Sequence, residues 1–290
     1  MTAERKDRDA LSLFAEELKA YRDARGWTQA ELASEISYSE SLIAQVEACW
    51  RVPSKELAKA LDRVFGTPGF AEGGSDSPGT EGTFGRLEAK LRNLPFPASF
   101  RSFAPYEAEA VTLHVFEHSL IPGLLQTEGY ARAVLSTRPN TTNDEIDNLV
   151  AGRLARQAVL WREDPPAPIL WALIDESALH RPVASPDMMR GQLTYLADVS
   201  RYPNITVQVV PYSAGGHTGL LGACTIAEPN GSPSIVNLED MADGRVTDDA
   251  DTVSLVTLRF NSLRSEALPK GASRELIVRV AEERWQGNAS

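Results

Sequence analysis

Between Thr28 and Arg51 the sequence TQAELASEISYSESLIAQVEACWR places polar side chains at helical spacing. On a helix starting after Ser39, the residues Ser39, Glu40, Ser41, Ala44 and Gln45 face outward. Their chemistry suits the edges of base pairs. Gln45 can bond adenine through both amide atoms, Glu40 can accept from cytosine, and Ala44 can touch a thymine methyl. Gln29, near a helix N-terminus behind Thr28, can donate to a phosphate together with the helix amides. Tyr38 and Arg51 flank the outward face within reach of backbone phosphates. Each of these residues also suits a plain solvated surface.

A second constellation lies further along the chain. Arg153 and Arg156 stand three residues apart on one helix face, with Gln157 beside them. Asp175 and Glu176 end a strand pattern, His180 and Arg181 follow, and PYSAGGHTG (211–219) is a Gly-rich loop holding Tyr212, Ser213 and His217. Two arginines, a carboxylate pair and a loop could bind an anionic small molecule or a partner. They could equally cap helices and pair charges inside a core. The sequence holds no H-E-x-x-H, C-x-x-C, G-x-x-x-x-G-K-[ST] or G-x-S-x-G. His114 and His118, on a strand, would lie about 13 Å apart, too far to share a metal ion. The expectation is a non-enzyme with no catalytic residues, metal or cofactor; an enzyme with an anionic-ligand site is the minority alternative.

The elements that must position the first constellation are short helices. Thr28 and Glu31 make a T-x-x-E capping box, and Leu32, Ala33 and Ile36 share the next face. Ser39 caps a second helix with Leu42, Ile43 and Val46 inward. Leu11–Arg25 precedes them with an apolar stripe, and a helix capped by Ser54 and ended by Gly66 follows. Two short helices joined by about three residues must cross steeply and rest on neighbours, the helix-turn-helix arrangement.

GWTQAELASEISYSESLIAQVEACWRVPS resembles the helix-turn-helix of the XRE, or phage-repressor-like, family. Gly26, Thr28, Gln29, Leu32, Ala33, Ile36, Ser39, Ile43, Val46, Glu47, Arg51, Pro53 and Ser54 fill the family's places. Cys49 stands where the family has glycine, so that helix end is expected to differ or to strain. The phrases IPGLLQTEGYARAVL, RLARQAVL, IDESALHRPV and PNITVQVVPYSAGGHTGLLGACTI resemble a domain of unknown function (DUF5753-like). That domain follows such a helix-turn-helix in many actinobacterial regulators, including developmental ones in Streptomyces. The resemblance implies a transcriptional regulator, often encoded beside a small partner protein with which it forms a regulatory or toxin–antitoxin-like pair.

Residues 1–66 are therefore expected to form an all-α helix-turn-helix bundle. Residues 67–83, rich in Gly, Pro, Ser and Thr, read as a flexible linker. Residues 84–290 are expected to form an α+β domain with a small sheet, from strands near 111–118, 169–175, 205–210, 223–228 and 234–239. The two cysteines, Cys49 and Cys224, make no disulfide framework, and the charged N-terminus has no apolar signal core, so a cytoplasmic protein without a membrane anchor is expected. The formal net charge is −11, and residues 10–66 carry seven basic against nine acidic side chains. Binding to double-stranded DNA depends on phosphate neutralisation, so a monomer should bind weakly and a homodimer better. Dimerisation and binding of a small partner protein or small-molecule effector are assigned to the larger domain. The alternative is an interaction protein with weak or no DNA binding.

Overall fold

The computed structural model describes residues 3–49, 51–70, 81–92, 100, 102–239 and 244–286, with side chains from residue 11 onward except at residue 92. The chain divides into two compact units: the described residues up to 92, with those of 100–105, and the residues from Tyr106 on.

The first unit is helical. Helices α1 (Ala3–Ala24), α2 (Gln29–Glu35), α3 (Glu40–Glu47) and α4 (Lys55–Phe65) surround one core containing Phe14, Leu18, Leu32, Ile43, Val46, Leu57 and Leu61. Both expected caps form: Thr28 and Glu31 close a reciprocal capping box, and the Ser39 hydroxyl accepts from the Leu42 amide. A fifth helix, α5 (Thr83–Arg92), joins the same core through Phe84, Leu87 and Leu91. This corrects the boundary at residue 84, which gave this helix to the larger domain. The Phe84 ring sits 5.2 Å from Phe14 and 5.5 Å from Tyr21. Asp62, on α4, caps α5 by accepting from the amides of Phe84 and Gly85 at 2.8 Å each.

The expected linker is also tied at both ends. Thr67 is buried and its hydroxyl donates to Asp62, while the Thr83 amide donates to Thr67. Gly82 is packed so closely that an added Cβ would lie 2.2 Å from the Thr67 hydroxyl oxygen. Residues 71–80 of the linker lie outside the described residues.

The second unit is α+β. After α6 (Ala104–Glu109), the strands β1 (Ala110–Glu117), β2 (Ile169–Asp175), β3 (Ile205–Val210), β4 (Cys224–Pro229), β5 (Ile235–Leu238) and β6 (Arg245–Thr247) make one six-stranded sheet. Its order is β3-β2-β1-β4-β5-β6; β1, β2 and β3 run parallel, and β4, β5 and β6 continue antiparallel. The sheet exceeds the expected one by β6, three residues too short to stand out as a strand pattern. The apolar ILWALID and ITVQVV runs fit strands shielded by crossover helices. Those crossovers are α7 (Glu128–Leu135) with α8 (Asn143–Arg156), then α9 (Glu176–His180) with α10 (Pro186–Val199). Two helices close the unit, α11 (Ala250–Glu266) and α12 (Lys270–Glu283). Val256, Phe260 and Leu263 of α11 share a core with Phe116, Leu173, Ile226 and Val236 of the sheet. Among the described residues, no helix is long and apolar enough to cross a membrane.

Candidate nucleic-acid interface and the polar cluster at the sheet edge

The helix-turn-helix is held by a part-buried ion pair. Arg22 of α1 donates from Nε and Nη2 to the Glu47 carboxylate of α3 at 2.6 and 3.1 Å, and from Nη1 to the Trp27 carbonyl at 2.8 Å. Their side chains are only 11% and 6% exposed. Gln29 opens α2 and donates from Nε2 to Glu47 at 2.8 Å. One carboxylate thus joins α1, α2 and α3. It also fixes the Gln29 amide, leaving its second N–H for another acceptor.

The turn between α2 and α3 needs a left-handed residue, and Ser37 supplies it with φ 60°. The Tyr38 amide then donates to the Ala33 carbonyl at 2.9 Å, and its ring packs partly against the core. Ser39, Glu40 and Ser41 are exposed, while Ala44 and Gln45 are half-buried along the same helix. Gln45 makes a long contact of 3.4 Å to the Ser41 hydroxyl. At the end of α3, Cys49 adopts φ 62°. The left-handed cap expected of glycine is therefore kept, with a cysteine strained into it. The exposed Arg51 follows, its amide bonded to the Gln45 carbonyl.

Electrostatics of this unit are less hostile to a polyanion than its composition. Glu47 is spent on Arg22, Asp62 is 1% exposed and caps α5, and Glu31 is held in its capping box. The bonds from Thr28 hold the Glu31 carboxyl below its ordinary range. Lys55, Lys59 and Arg63 recur every four residues on α4 and so share one face with helical spacing. The i, i+4, i+8 repeat makes this stripe visible in the sequence as well.

The second constellation resolves into two places. Arg156 donates from Nε and Nη2 to both oxygens of Glu107 at 2.8 Å, and the pair is buried. Arg153 donates to the Gln126 side-chain oxygen at 2.8 Å, and Gln157 donates to the carbonyls of Gln126 and Gly123 at 2.7 and 3.3 Å. Of these three expected anion ligands, Arg153 and Gln157 brace the Ile121–Gln126 turn after β1, and Arg156 ties α8 to α6. Burial, with Arg156 nearby, brings the Arg153 guanidinium down to about 10. Glu117, at the end of β1, is pushed well above the ordinary carboxyl value by burial and by Glu239, with Arg153 opposing.

The other place is at the ends of β2 and β3. Asp175 caps α9 through the Ser177 amide at 2.8 Å, and its other oxygen meets His217 Nε2 at 3.0 Å. Glu176 accepts from the Tyr212 amide at 2.7 Å and lies 3.7 Å from His180. The Gly-rich loop is pinned by both acids. Gly219 lets it close down, since a Cβ there would lie 2.3 Å from the Phe116 ring. Arg181 is exposed beside this cluster. Capping and charge pairing thus occupy most of the residues considered as ligand groups. Among the described residues no group of His, Cys, Asp and Glu could hold a metal ion.

Comparison with family models gives two matches. Residues 13–71 match a helix-turn-helix domain, and residues 100–279 match a domain of unknown function, DUF5753. Neither curated proteins nor solved structures give a match. Since the second match spans more than half of the 290 residues, the chain belongs to the DUF5753 family, joined here to an N-terminal helix-turn-helix domain.

Proposed function

We propose that the protein is a cytoplasmic DNA-binding transcription regulator of XRE type, acting as a homodimer. The first unit reads the major groove, with Thr28, Gln29, Tyr38 and Arg51 at phosphates and Ser39, Glu40, Ser41, Ala44 and Gln45 toward base edges. The single observation that carries this reading is the outward presentation of α3. Its inner face is fixed in the core, and the Arg22–Glu47–Gln29 bonds hold it against α1 and α2. The second unit supplies dimerisation and a surface for a small partner protein or effector, with Arg181 and the Asp175–His217 cluster at its polar edge. Catalysis is not part of the proposal.

Binding of the purified chain to genomic fragments, including its own promoter, across a salt series tests this. Sequence-selective binding that weakens steeply with salt is expected. Gln45→Ala should relax selectivity by about 1–3 kcal/mol at one base position. Absence of selective binding at low salt would reject the DNA reading in favour of an interaction protein, which the nine acidic against seven basic residues of 10–66 would then explain.

A further inference from the structure

The outward face of α11 is mostly polar but carries two exposed leucines, Leu255 and Leu258. Val256, Phe260 and Leu263 bury the inner face. On the solvent side, Leu255, Arg259, Ser262 and Glu266 follow one another at spacings of four, three and four, so they line one mixed polar and apolar seam along the helix. Leu255 and Leu258 are 46% and 67% exposed. Beside the helix, the turn Thr218–Leu221 presents Leu220 and Leu221 at 61% and 76% exposed. Turn and helix wall a groove of about 590 Å³ lined by Ala214, His217, Leu220, Leu221, Leu263 and Glu266. The turn is not loose: His217 is bonded to Asp175 and Gly219 is closed on Phe116. The leucines are held outward by a fixed loop, and an exposed apolar patch of this kind marks an interface.

The charges on the seam identify the occupant. Arg259 and Glu266 are seven residues apart, about 10 Å along the helix, too far to pair with each other. Within the described residues neither has an ion-pair partner. We infer that two copies of the chain pair antiparallel through this face of α11, across a two-fold axis between Ser262 and Leu263. That operation sets Arg259 of one copy opposite Glu266 of the other, twice, as an isologous interface requires. A basic partner would answer Glu266 and oppose Arg259; an apolar small molecule would answer neither. The inference rests on the dimeric reading above and gives it a surface.

Sedimentation equilibrium of the full chain tests it. The wild type should be dimeric at micromolar concentration. Arg259→Glu and Glu266→Arg should each raise the dimer dissociation constant about tenfold, because each creates two like-charge contacts in place of two exposed ion pairs. The double reversal should return it to within about threefold, since the same pairs re-form with signs exchanged. Leu221→Asp, at a mostly exposed site, should also dissociate the dimer, with unchanged circular dichroism showing that the fold survives. A wild-type dimer indifferent to these changes would overturn the α11 interface and leave the dimeric regulator standing. Weakening by both single reversals without rescue by the double would overturn the antiparallel pairing. A wild type monomeric at every concentration reached would overturn both.

Discussion

At the scale of single residues, Cys49 carries the clearest internal contradiction. Its φ of 62° is a conformation in which a Cβ crowds the following carbonyl. Cys49→Gly should raise stability by up to about 1 kcal/mol, offset in part by lost packing of the half-buried thiol against the core. Urea unfolding would measure it, and a loss of stability would mean that the side chain contributes more than the strain costs. Glu117 makes a prediction with a pH sign. Its folded carboxyl titrates well above the ordinary 4.5, because burial and Glu239 disfavour the charge. The unfolded chain therefore releases a proton that the folded chain keeps. The resulting stability is full below about pH 4.5 and declines as pH rises toward the folded value. Glu117→Gln should stabilise the protein at neutral pH, with the gain vanishing below that point; an equal gain at acid pH would assign the effect to packing instead. Interactions of short reach were legible at this scale: Thr28 and Glu31 form the capping box their spacing announced, and the same T-x-x-E spacing gives a second box at Thr142 and Glu145. The pairs between distant residues were not. Arg22 meets Glu47 across 25 residues and Arg156 meets Glu107 across 49, so no local pattern distinguishes them from solvated charges.

At the scale of elements, the helical stripes were readable but their destinations were not. The stretch FGRLEAKLRNL shows a helix in its own spacing, yet nothing in it says which core receives Phe84. That is decided by Asp62, twenty-two residues earlier, whose carboxylate accepts the amides opening α5. Phe84 is fully buried against Phe14, Tyr21 and Phe65. Phe84→Ala should cost the first unit about 3–5 kcal/mol through lost burial and the cavity left behind. Thermal unfolding followed by the near-ultraviolet signal would read it. A cost below about 1 kcal/mol would mean that α5 is an accessory to the four-helix bundle rather than part of its core. The strands show the same division. Long apolar runs such as ILWALID announce themselves, whereas β6 exists because β5 offers it an edge, a fact of pairing that three residues cannot encode. The two constellations differ for a related reason. The outward face of α3 follows from helical period alone, while the roles of Arg156 and Asp175 depend on which distant elements the fold brings beside them.

At the scale of the whole molecule, charge decides what the helix-turn-helix can do. A chain of net −11 approaches DNA against repulsion, so attraction must come from a local face and from its repetition. Turning Glu47 and Asp62 inward removes two acids from the surface of the first unit, and the α4 repeat of Lys55, Lys59 and Arg63 concentrates positive charge on one side of a helix. Repetition is measurable through salt. The logarithm of the binding constant falls with the logarithm of salt concentration by about 0.9 for each phosphate neutralised. Arg51→Ala removes one such contact from each copy that touches DNA. If one copy binds, the slope should become shallower by about 0.9; if a dimer binds a two-fold site, by about 1.8. The dimeric reading requires the larger change, accompanied by weaker binding of roughly equal size on selective and non-selective fragments, because a phosphate contact carries no sequence information. A change near 0.9 would make the DNA-bound species a monomer, and an unchanged slope would remove Arg51 from the interface. Glu40→Gln should leave the same slope unaltered, since it changes no phosphate contact, so the pair of variants separates charge neutralisation from base reading within one series of titrations.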